Sequence, residues 1–140
     1  MKTLNVYLFF NGNCEEAMNY YKKCLGGEIV SVMSFGESNM PIPEEAKNRI
    51  MHAELKADNI YIMASDGTPD KQVTIGDNYS LSINCTSEEE QENVFNKLVS
   101  GGKVTMPLQD TFWGAKFGML TDKFGINWIL NFNKRTHNKN

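Results

Sequence analysis

The chain has 140 residues, of which 41% are hydrophobic, and it carries a formal net charge of −3. This length and apolar content predict a globular fold with a buried core, as one domain or as one domain of two similar halves. Nucleic-acid binding is not expected, because the Lys and Arg residues are scattered rather than clustered. The longest apolar run, Val6 to Phe10, is too short to span a membrane. A cytoplasmic protein without membrane association is therefore predicted.

The chain contains three cysteines, an odd number that suits a reducing compartment better than a disulfide framework. Cys14 and Cys24 fall on one predicted helix, about 15 Å apart at ~1.5 Å per residue, so they cannot form a disulfide. We interpret the thiols as inert. The alternative is a reactive Cys85 at the end of a strand.

The first half of the chain predicts a strand, a helix and three further strands. Residues 5–10 are rich in aromatic and β-branched side chains, which favour a strand. Asn13 predicts a helix N-cap with Glu16 as its capping-box partner, and Gly26 suits the position after the helix. Further strands are predicted over 28–35, 49–56 and 59–65, with a loop over 36–48.

The second half repeats this plan. Asn78 to Asn84 resembles Asn5 to Asn11, and the Gly101-Gly102 pair resembles the Gly26-Gly27 pair. Ser87 with Glu90 predicts the start of a helix, and strands are predicted from residue 103 and over 114–120 and 126–132. Pro107 either ends its strand or lies on a sheet edge. The predicted domain is thus module one over 1–66, a linker over 67–77, module two over 78–133 and a polar tail over 134–140.

This order predicts an α+β fold of two paired β-α-β-β-β modules. One helix covers only one face of a four-stranded sheet, so the other face must curl around a ligand, the sister module or another subunit. We therefore expect an open, curled mixed sheet around a cavity between the modules.

Six segments of the sequence carry a resemblance to a known family: Tyr7 to Ala17, Ile50 to Ala53, Val104 to Leu108, Thr111 to Gly114, Phe117 to Asp122 and Gly125 to Trp128. With these segments the sequence resembles the vicinal oxygen chelate superfamily of glyoxalase I, ring-cleavage dioxygenases and bleomycin-resistance proteins. It is most similar to the PhnB-like branch, which is also labelled demethylubiquinone methyltransferase-like. The resemblance implies the glyoxalase fold. No glycine motif for S-adenosylmethionine follows a strand, so a methyltransferase activity has no support in the residues.

The resemblance also implies where a metal would bind. In metal-dependent members, His and Glu ligands come from the first and last strands of each module, and the corresponding positions here are Asn5, Met63, Asn78 and Ile129. Methionine and isoleucine cannot hold a hard divalent ion, and two neutral amides are weak ligands. We therefore predict that the usual metal site is absent and that no cofactor is required.

Alternation along the strands predicts which side chains line the cavity. His52 is the sharpest candidate for a catalytic residue, with Glu54 on the same face, although a packing role satisfied by a carbonyl or a tyrosine hydroxyl is the favoured alternative. Trp113 could cover a planar ligand or fill a dimer interface. Gly118 and Asn127 are also predicted to face inward. The predicted ligand-binding residues are Asn5, Tyr7, Phe9, Tyr61, Met63, Asn78, Ser80 and Trp113.

Two functions remain open. The first is metal-free binding of a small, partly aromatic molecule, as the resemblance to bleomycin-resistance proteins implies. The second is a lyase, isomerase or other superfamily enzyme whose site has moved to His52 and Glu54. The resemblance further implies a homodimer, which would also cover the predicted sheet edges.

Overall fold

The computed structural model describes residues 1–134. The chain forms two compact units, Met1–Thr74 and a second unit that begins at Ile75. The boundary falls inside the predicted linker 67–77. Each unit contains one helix and its own four-stranded sheet.

The first unit contains a mixed sheet in which the strand order differs from the order along the chain. Its first and last strands are parallel neighbours, and the remaining pairs are antiparallel, giving the order β1-β4-β3-β2. Two short 3-10 turns, Phe35–Glu37 and Glu44–Ala46, interrupt the predicted loop. The elements are β1 (Val6–Phe9), α1 (Cys14–Leu25), β2 (Glu28–Ser34), β3 (Ile50–Ala57) and β4 (Ile60–Ser65).

The second unit repeats this topology, with the strand order β5-β8-β7-β6. Pro107 lies within β6, which is an edge strand, as one of the two predicted alternatives requires. The elements are β5 (Leu81–Asn84), α2 (Glu88–Leu98), β6 (Lys103–Asp110), β7 (Ala115–Thr121) and β8 (Asn127–Asn133). The predicted β-α-β-β-β order is therefore confirmed in both halves.

The glycine pairs of the repeat have the same physical role in both units. Gly26 and Gly101 adopt left-handed backbone conformations, with φ of 73° and 78°, which allow the chain to leave the helix. Gly27 and Gly102 instead lie against the neighbouring strand. A Cβ atom at Gly27 would be 2.5 Å from the carbonyl oxygen of Lys56, and a Cβ atom at Gly102 would come even closer to the carbonyl oxygen of Thr121.

The predicted alignment of the first strands of the two halves was wrong by two residues. The Phe10 amide donates to the Ser65 carbonyl at 2.9 Å, and the Cys85 amide donates to the Asn131 carbonyl at 2.7 Å in the equivalent place. Phe10 therefore corresponds to Cys85 and not to Ile83. A shift of two residues preserves the inside-outside alternation of a strand, so the pattern alone could not detect it.

The two helices begin differently. Ser87 caps α2 as predicted, because its hydroxyl accepts from the Glu90 amide, while the Glu90 carboxylate reaches Thr86. The predicted N-cap position of Asn13 is confirmed, but its side chain makes no capping hydrogen bond. The Asp66 carboxylate, which lies at the end of β4, accepts from the Cys14 amide at 2.9 Å instead. A side chain distant in sequence thus satisfies the start of α1.

The core of each unit lies between its helix and one face of its sheet. In the first unit the helix buries Ala17, Met18 and Tyr21, and the sheet contributes alternating buried side chains such as Leu55 and Ile62. The opposite face, here called the helix-free face, carries the intervening side chains. Within residues 1–134, no helix is long and apolar enough to cross a membrane.

Candidate functional site

A chain of four polar side chains lies on the helix-free face of the first unit. Tyr7 on β1 is opposite Met63 on β4, and Met63 is opposite Glu54 on β3, so these three side chains share one face. His52 is two residues before Glu54, and Tyr61 is two residues before Met63. Period-two alternation places both on the same face.

These side chains are joined by direct hydrogen bonds. The Tyr7 hydroxyl oxygen is 2.9 Å from His52 Nδ1, and His52 Nε2 is 2.8 Å from Glu54 Oε2. The Tyr61 hydroxyl donates to the other carboxylate oxygen, Glu54 Oε1. The four residues therefore form a continuous chain from Tyr7 to Tyr61, here called the polar chain. The sequence suggested that His52 and Glu54 are neighbours, and the structure shows that they are in contact.

The polar chain holds its protons in a definite pattern at neutral pH. The hydrogen bonds from Tyr61 and His52 lower the pKa of Glu54, so the carboxyl is ionised. The bond to this carboxylate raises the pKa of Tyr61. Burial raises the pKa of Tyr7, and the nearby Cys14 and Glu54 act in the same direction. Both phenols therefore keep their hydrogens.

Apolar and aromatic groups surround the polar chain. The rings of Tyr7 and Phe9 lie 5.0 Å apart, and those of Tyr7 and His52 lie 5.7 Å apart. Phe9 is 55% exposed and Tyr7 is 38% exposed, although both belong to a strand in the sheet. Met33, which was not among the predicted site residues, lies opposite His52 on β2 and is also exposed. Only the register of β2 against β3 could have revealed it.

The remaining predicted site residues are not brought together by the described contacts within either unit. Asn5 immediately precedes β1 in the first unit. Asn78 and Ser80 lie in the second unit, before β5 rather than inside it. Trp113 lies between β6 and β7, half-exposed, with its ring 5.0 Å from that of Phe112 in an edge-on arrangement. Their roles in a site remain predictions, as does the homodimer.

One residue was assigned to the wrong face. Gly118 lies opposite Leu130 in the sheet, and a Cβ atom would be 3.1 Å from the ring of Phe95 on α2. It therefore faces the helix, where its lack of a side chain makes room for Phe95. The assignment of Gly118 to the helix-free face was wrong because Gly118 shares its face of β7 with the buried Leu120.

The four positions implied for a metal do not fit one. Met63 is opposite Tyr7, and Ile129 is opposite Ser82, so each last strand presents a thioether or a hydrocarbon beside a hydroxyl. Asn5 and Asn78 precede their strands and do not occupy equivalent places, since Asn5 corresponds to Ser80. Within the described chain, no group of three or more His, Cys, Asp or Glu side chains is arranged to hold a metal ion. These donors do not match a superfamily metal centre.

The cysteines are buried thiols. Burial raises the pKa of Cys14 to about 12 and that of Cys85 to about 11. A thiol must ionise to react as a nucleophile, so the interpretation of Cys85 as inert is supported over the reactive alternative. The carboxylates of Asp66 and Asp122 are also buried, and both are used by backbone and indole donors.

Comparison with known proteins places the chain in a family. The family model described as 3-demethylubiquinone-9 3-methyltransferase matches residues 2–131. The chain belongs to this PhnB-like family. It is 34% identical to protein YjdN of Escherichia coli over 142 residues, which cover 94% of this chain and 96% of YjdN.

Solved structures of similar proteins have the same fold. Protein PA1353 of Pseudomonas aeruginosa is 41% identical, with a TM-score of 0.83 over 94% of this chain and 98% of that one. The PhnB protein of Bacillus cereus is 32% identical, with a TM-score of 0.77 over 94% and 99% of the two chains. A glyoxalase/bleomycin resistance protein/dioxygenase family enzyme from Burkholderia phytofirmans is only 12% identical, with a TM-score of 0.63 over 92% and 96%. The predicted family and fold are confirmed.

Proposed function

We propose that this PhnB-like protein binds a small, partly aromatic organic molecule on the helix-free face of its first unit. The observation that carries this proposal is the polar chain from Tyr7 to Tyr61, assembled beside exposed aromatic rings. Ligand sites commonly combine an apolar or aromatic surface with a few fixed polar groups that orient the ligand. The face of the first sheet has both components.

The aromatic part supports stacking of a planar ligand. Tyr7 and Phe9 are adjacent on the same face and leave a large share of their rings in contact with solvent. Aromatic pairs contribute about 0.5–1.5 kcal/mol beyond the area that they bury. A planar ligand would therefore gain stabilisation from these rings.

The polar part supports orientation of the ligand. His52 and Glu54 are about one third and one quarter exposed, with side-chain accessibilities of 31% and 25%. Each is held on both sides by a hydrogen bond, so their positions are fixed before a ligand arrives. Groups fixed in advance lose less conformational entropy on binding. Recognition through these side chains needs no metal ion.

The test is a two-dimensional NMR titration with monocyclic aromatic fragments such as benzamide, benzamidine and benzoate. We expect shifts at the amides of Tyr7, Phe9, His52 and Glu54 for at least one fragment. Phe9→Ala should weaken that fragment several-fold, whereas Phe112→Ala, which removes an even more exposed ring between β6 and β7, should not. If every fragment binds elsewhere, or if Phe112→Ala has the larger effect, the proposed binding surface is wrong.

A second candidate function is proton transfer, favoured by one observation. The Tyr7 hydroxyl, His52 and the Glu54 carboxylate are joined in series by hydrogen bonds, as in sites where a carboxylate orients a histidine base. A ligand proton could pass to the Tyr7 oxygen while the tyrosine proton moves to His52 Nδ1. Glu54 would stabilise the resulting imidazolium.

Metal content separates a metal-dependent enzyme from metal-free binding. The purified protein would be analysed for bound metal and titrated with zinc or manganese, with His52→Ala as the comparison. We expect no stoichiometric metal in either protein. One equivalent of metal that disappears in His52→Ala would contradict metal-free binding and support an enzyme whose site includes His52.

A further inference from the structure

The direction of every hydrogen bond in the polar chain follows from its chemistry. An ionised carboxylate only accepts, so Glu54 must receive a hydrogen from each neighbour. Tyr61 donates to Oε1, and His52 Nε2 therefore carries the hydrogen that faces Oε2. In the neutral form of the ring this tautomer leaves Nδ1 bare, and the Tyr7 hydroxyl then donates to it.

All three hydrogens therefore point along the chain toward Glu54. The two ends of the chain are the phenol oxygens of Tyr7 and Tyr61, and each has already used its only hydrogen. What each end still offers is lone pairs, and at Tyr7 the Ser65 side chain is already a hydrogen-bond partner of the oxygen. A ligand that reaches either oxygen must donate, and two acceptors brought together would lose a solvent hydrogen bond without replacement.

The negative charge of Glu54 acts in the same direction, whereas the positive charge of Lys56 opposes it. Glu54 carries a negative charge, and the described partner of this carboxylate among basic side chains is His52. Lys56, which is opposite Tyr61 in the sheet, is the cation that would favour an anionic ligand. The difference in affinity between anionic and cationic ligands therefore shows whether the charge of Glu54 or that of Lys56 has the stronger effect on binding at this face.

We propose that the site, given the binding function proposed above, selects ligands that donate hydrogen bonds: aromatic amines, amidines and N–H heterocycles. Aromatic carboxylates, nitro compounds and esters are disfavoured. The specificity arises from the orientation of hydrogens in the polar chain rather than from shape alone.

Two matched pairs of probes test this preference. Benzamidine and benzoate have similar shape but opposite roles, and aniline and nitrobenzene form a neutral pair. We expect each donor to bind the Tyr7–Tyr61 face at least about tenfold more tightly than its partner, as measured by NMR titration. If benzamidine alone is preferred and the neutral pair bind equally, charge explains the selectivity and the proposed role of hydrogen orientation is wrong.

Substitution of both chain ends provides the second test. Tyr7→Phe with Tyr61→Phe keeps the rings and removes both terminal oxygens, so the preference of aniline over nitrobenzene should fall below about threefold. Tyr79→Phe, at a tyrosine of the second unit that is as exposed as Tyr7, should leave it unchanged. Retention of the full preference in the double variant would overturn the inference.

The tautomer of His52 can be observed directly. In a protein labelled with ¹⁵N-histidine and carrying His137→Asn, the only imidazole signals come from His52. We expect the Nε2–H tautomer at neutral pH. The Nδ1–H tautomer or an imidazolium would reverse the hydrogen on Tyr7 and disprove the proposal, even if ligands bind.

The outcomes separate this inference from the proposed function. If donor and acceptor probes bind the face equally, the binding surface stands and the selectivity fails. If none of the four probes perturbs the amides of Tyr7, His52 and Glu54, the binding surface itself is wrong.

Discussion

The helix-free faces of the two sheets occupy the same positions in the repeat but carry different chemistry. The row Tyr7, Met63 and Glu54 of the first sheet corresponds to Ser82, Ile129 and Met119 in the second. By the same register, His52 corresponds to Phe117 and Tyr61 to Asn127. The first unit thus holds a chain of proton-bearing groups where the second holds a phenylalanine, a methionine and two small polar side chains.

The faces that pack against the helices differ far less. Leu8 and Ala64 in the first unit correspond to Ile83 and Leu130 in the second, and all four are apolar. Ala53 corresponds to Gly118, which accommodates Phe95. Close packing restricts volume and polarity under a helix, whereas the opposite face has no such restriction. The comparison therefore separates what the fold requires from what a site requires.

The buried aspartates should give the largest effects on stability, because both units depend on them. Asp66 accepts hydrogen bonds from the amides of Gly12, Cys14 and Ile50. Asp66→Ala leaves three donors unsatisfied and should lower the free energy of unfolding by about 3–5 kcal/mol. Urea denaturation followed by circular dichroism measures this change.

Two further variants complete the comparison. Asp122 accepts from the amides of Phe124 and Ile126 and from the Trp128 indole, so Asp122→Ala should cost a similar amount. Asp70→Ala, at an exposed aspartate of the first unit, should change stability by less than about 0.5 kcal/mol. If Asp66→Ala behaved like Asp70→Ala, Asp66 would not be the group that secures the start of α1.

The glycine pairs should show the next largest effects, and the two members of a pair should differ. Gly27→Ala places a Cβ against backbone that cannot move away cheaply, so a loss of about 3 kcal/mol is expected. Gly26→Ala meets no atom within 4 Å and suffers only its left-handed conformation, for a loss of about 1 kcal/mol. Thermal or urea unfolding compares them.

The second unit supplies the matched test of the glycine argument. Gly102→Ala should resemble Gly27→Ala, because its Cβ would also approach a backbone carbonyl. Gly101→Ala should resemble Gly26→Ala. An equal loss at both members of either pair would contradict the assignment of a close approach to one glycine and a positive φ to the other.

The sequence predicted the repeated topology because topology leaves periodic and local signals. The glycine pairs, the Ser87 cap and the alternation in β1, β3 and β4 all depend on residues a few positions apart. The Asp66 cap could not be predicted in this way, since its partners Gly12 and Cys14 lie more than fifty residues earlier in the sequence. The register of β5 was also inaccessible, because a shift of two preserves alternation.

The site was predicted only in part, because local alternation is visible in the sequence and contacts between distant strands are not. Alternation placed Tyr7, His52, Glu54 and Tyr61 on one face, but it could not show that the side chains meet. The contact of Tyr7 with His52 depends on the order β1-β4-β3, in which β4 separates the two strands. That order is set by the pairing of segments distant in sequence, and the sequence of a single strand carries no signal for it.

The polar chain should contribute a smaller, pH-dependent share of stability, and only in the first unit. Because the pKa of Glu54 is lowered in the folded state, its contribution is present above the carboxyl pKa of the unfolded chain. It is lost as pH falls through the lowered value. The difference in unfolding free energy between the wild type and Glu54→Gln should therefore be larger near about pH 6 than near about pH 3.

The cause of this dependence can be tested by removing the Tyr61 hydroxyl. It makes the largest contribution to the lowered pKa of Glu54, ahead of His52. In a Tyr61→Phe background, the loss with falling pH should begin at a higher pH than in the wild type. Met119→Gln, at the counterpart of Glu54, adds no titrating group and should show no such difference. If the midpoint of the pH-dependent loss of stability were the same in Tyr61→Phe and in the wild type, a group other than Tyr61 would be responsible for the lowered pKa of Glu54.

The smallest expected effect is a difference between the two units in the slow alkylation rate of their buried thiols. Burial raises the pKa of Cys14 in the first unit to about 12 and that of Cys85 in the second to about 11. Alkylation of the native chain by iodoacetamide at neutral pH should be on the order of a hundredfold slower than that of free cysteine, with Cys85 faster than Cys14. Mass spectrometry of the labelled peptides assigns each site, and labelling in urea provides the unfolded control. Rapid modification of native Cys85 would instead support a reactive thiol at the end of β5, and the two units would then differ in nucleophilic chemistry as well as in their helix-free faces.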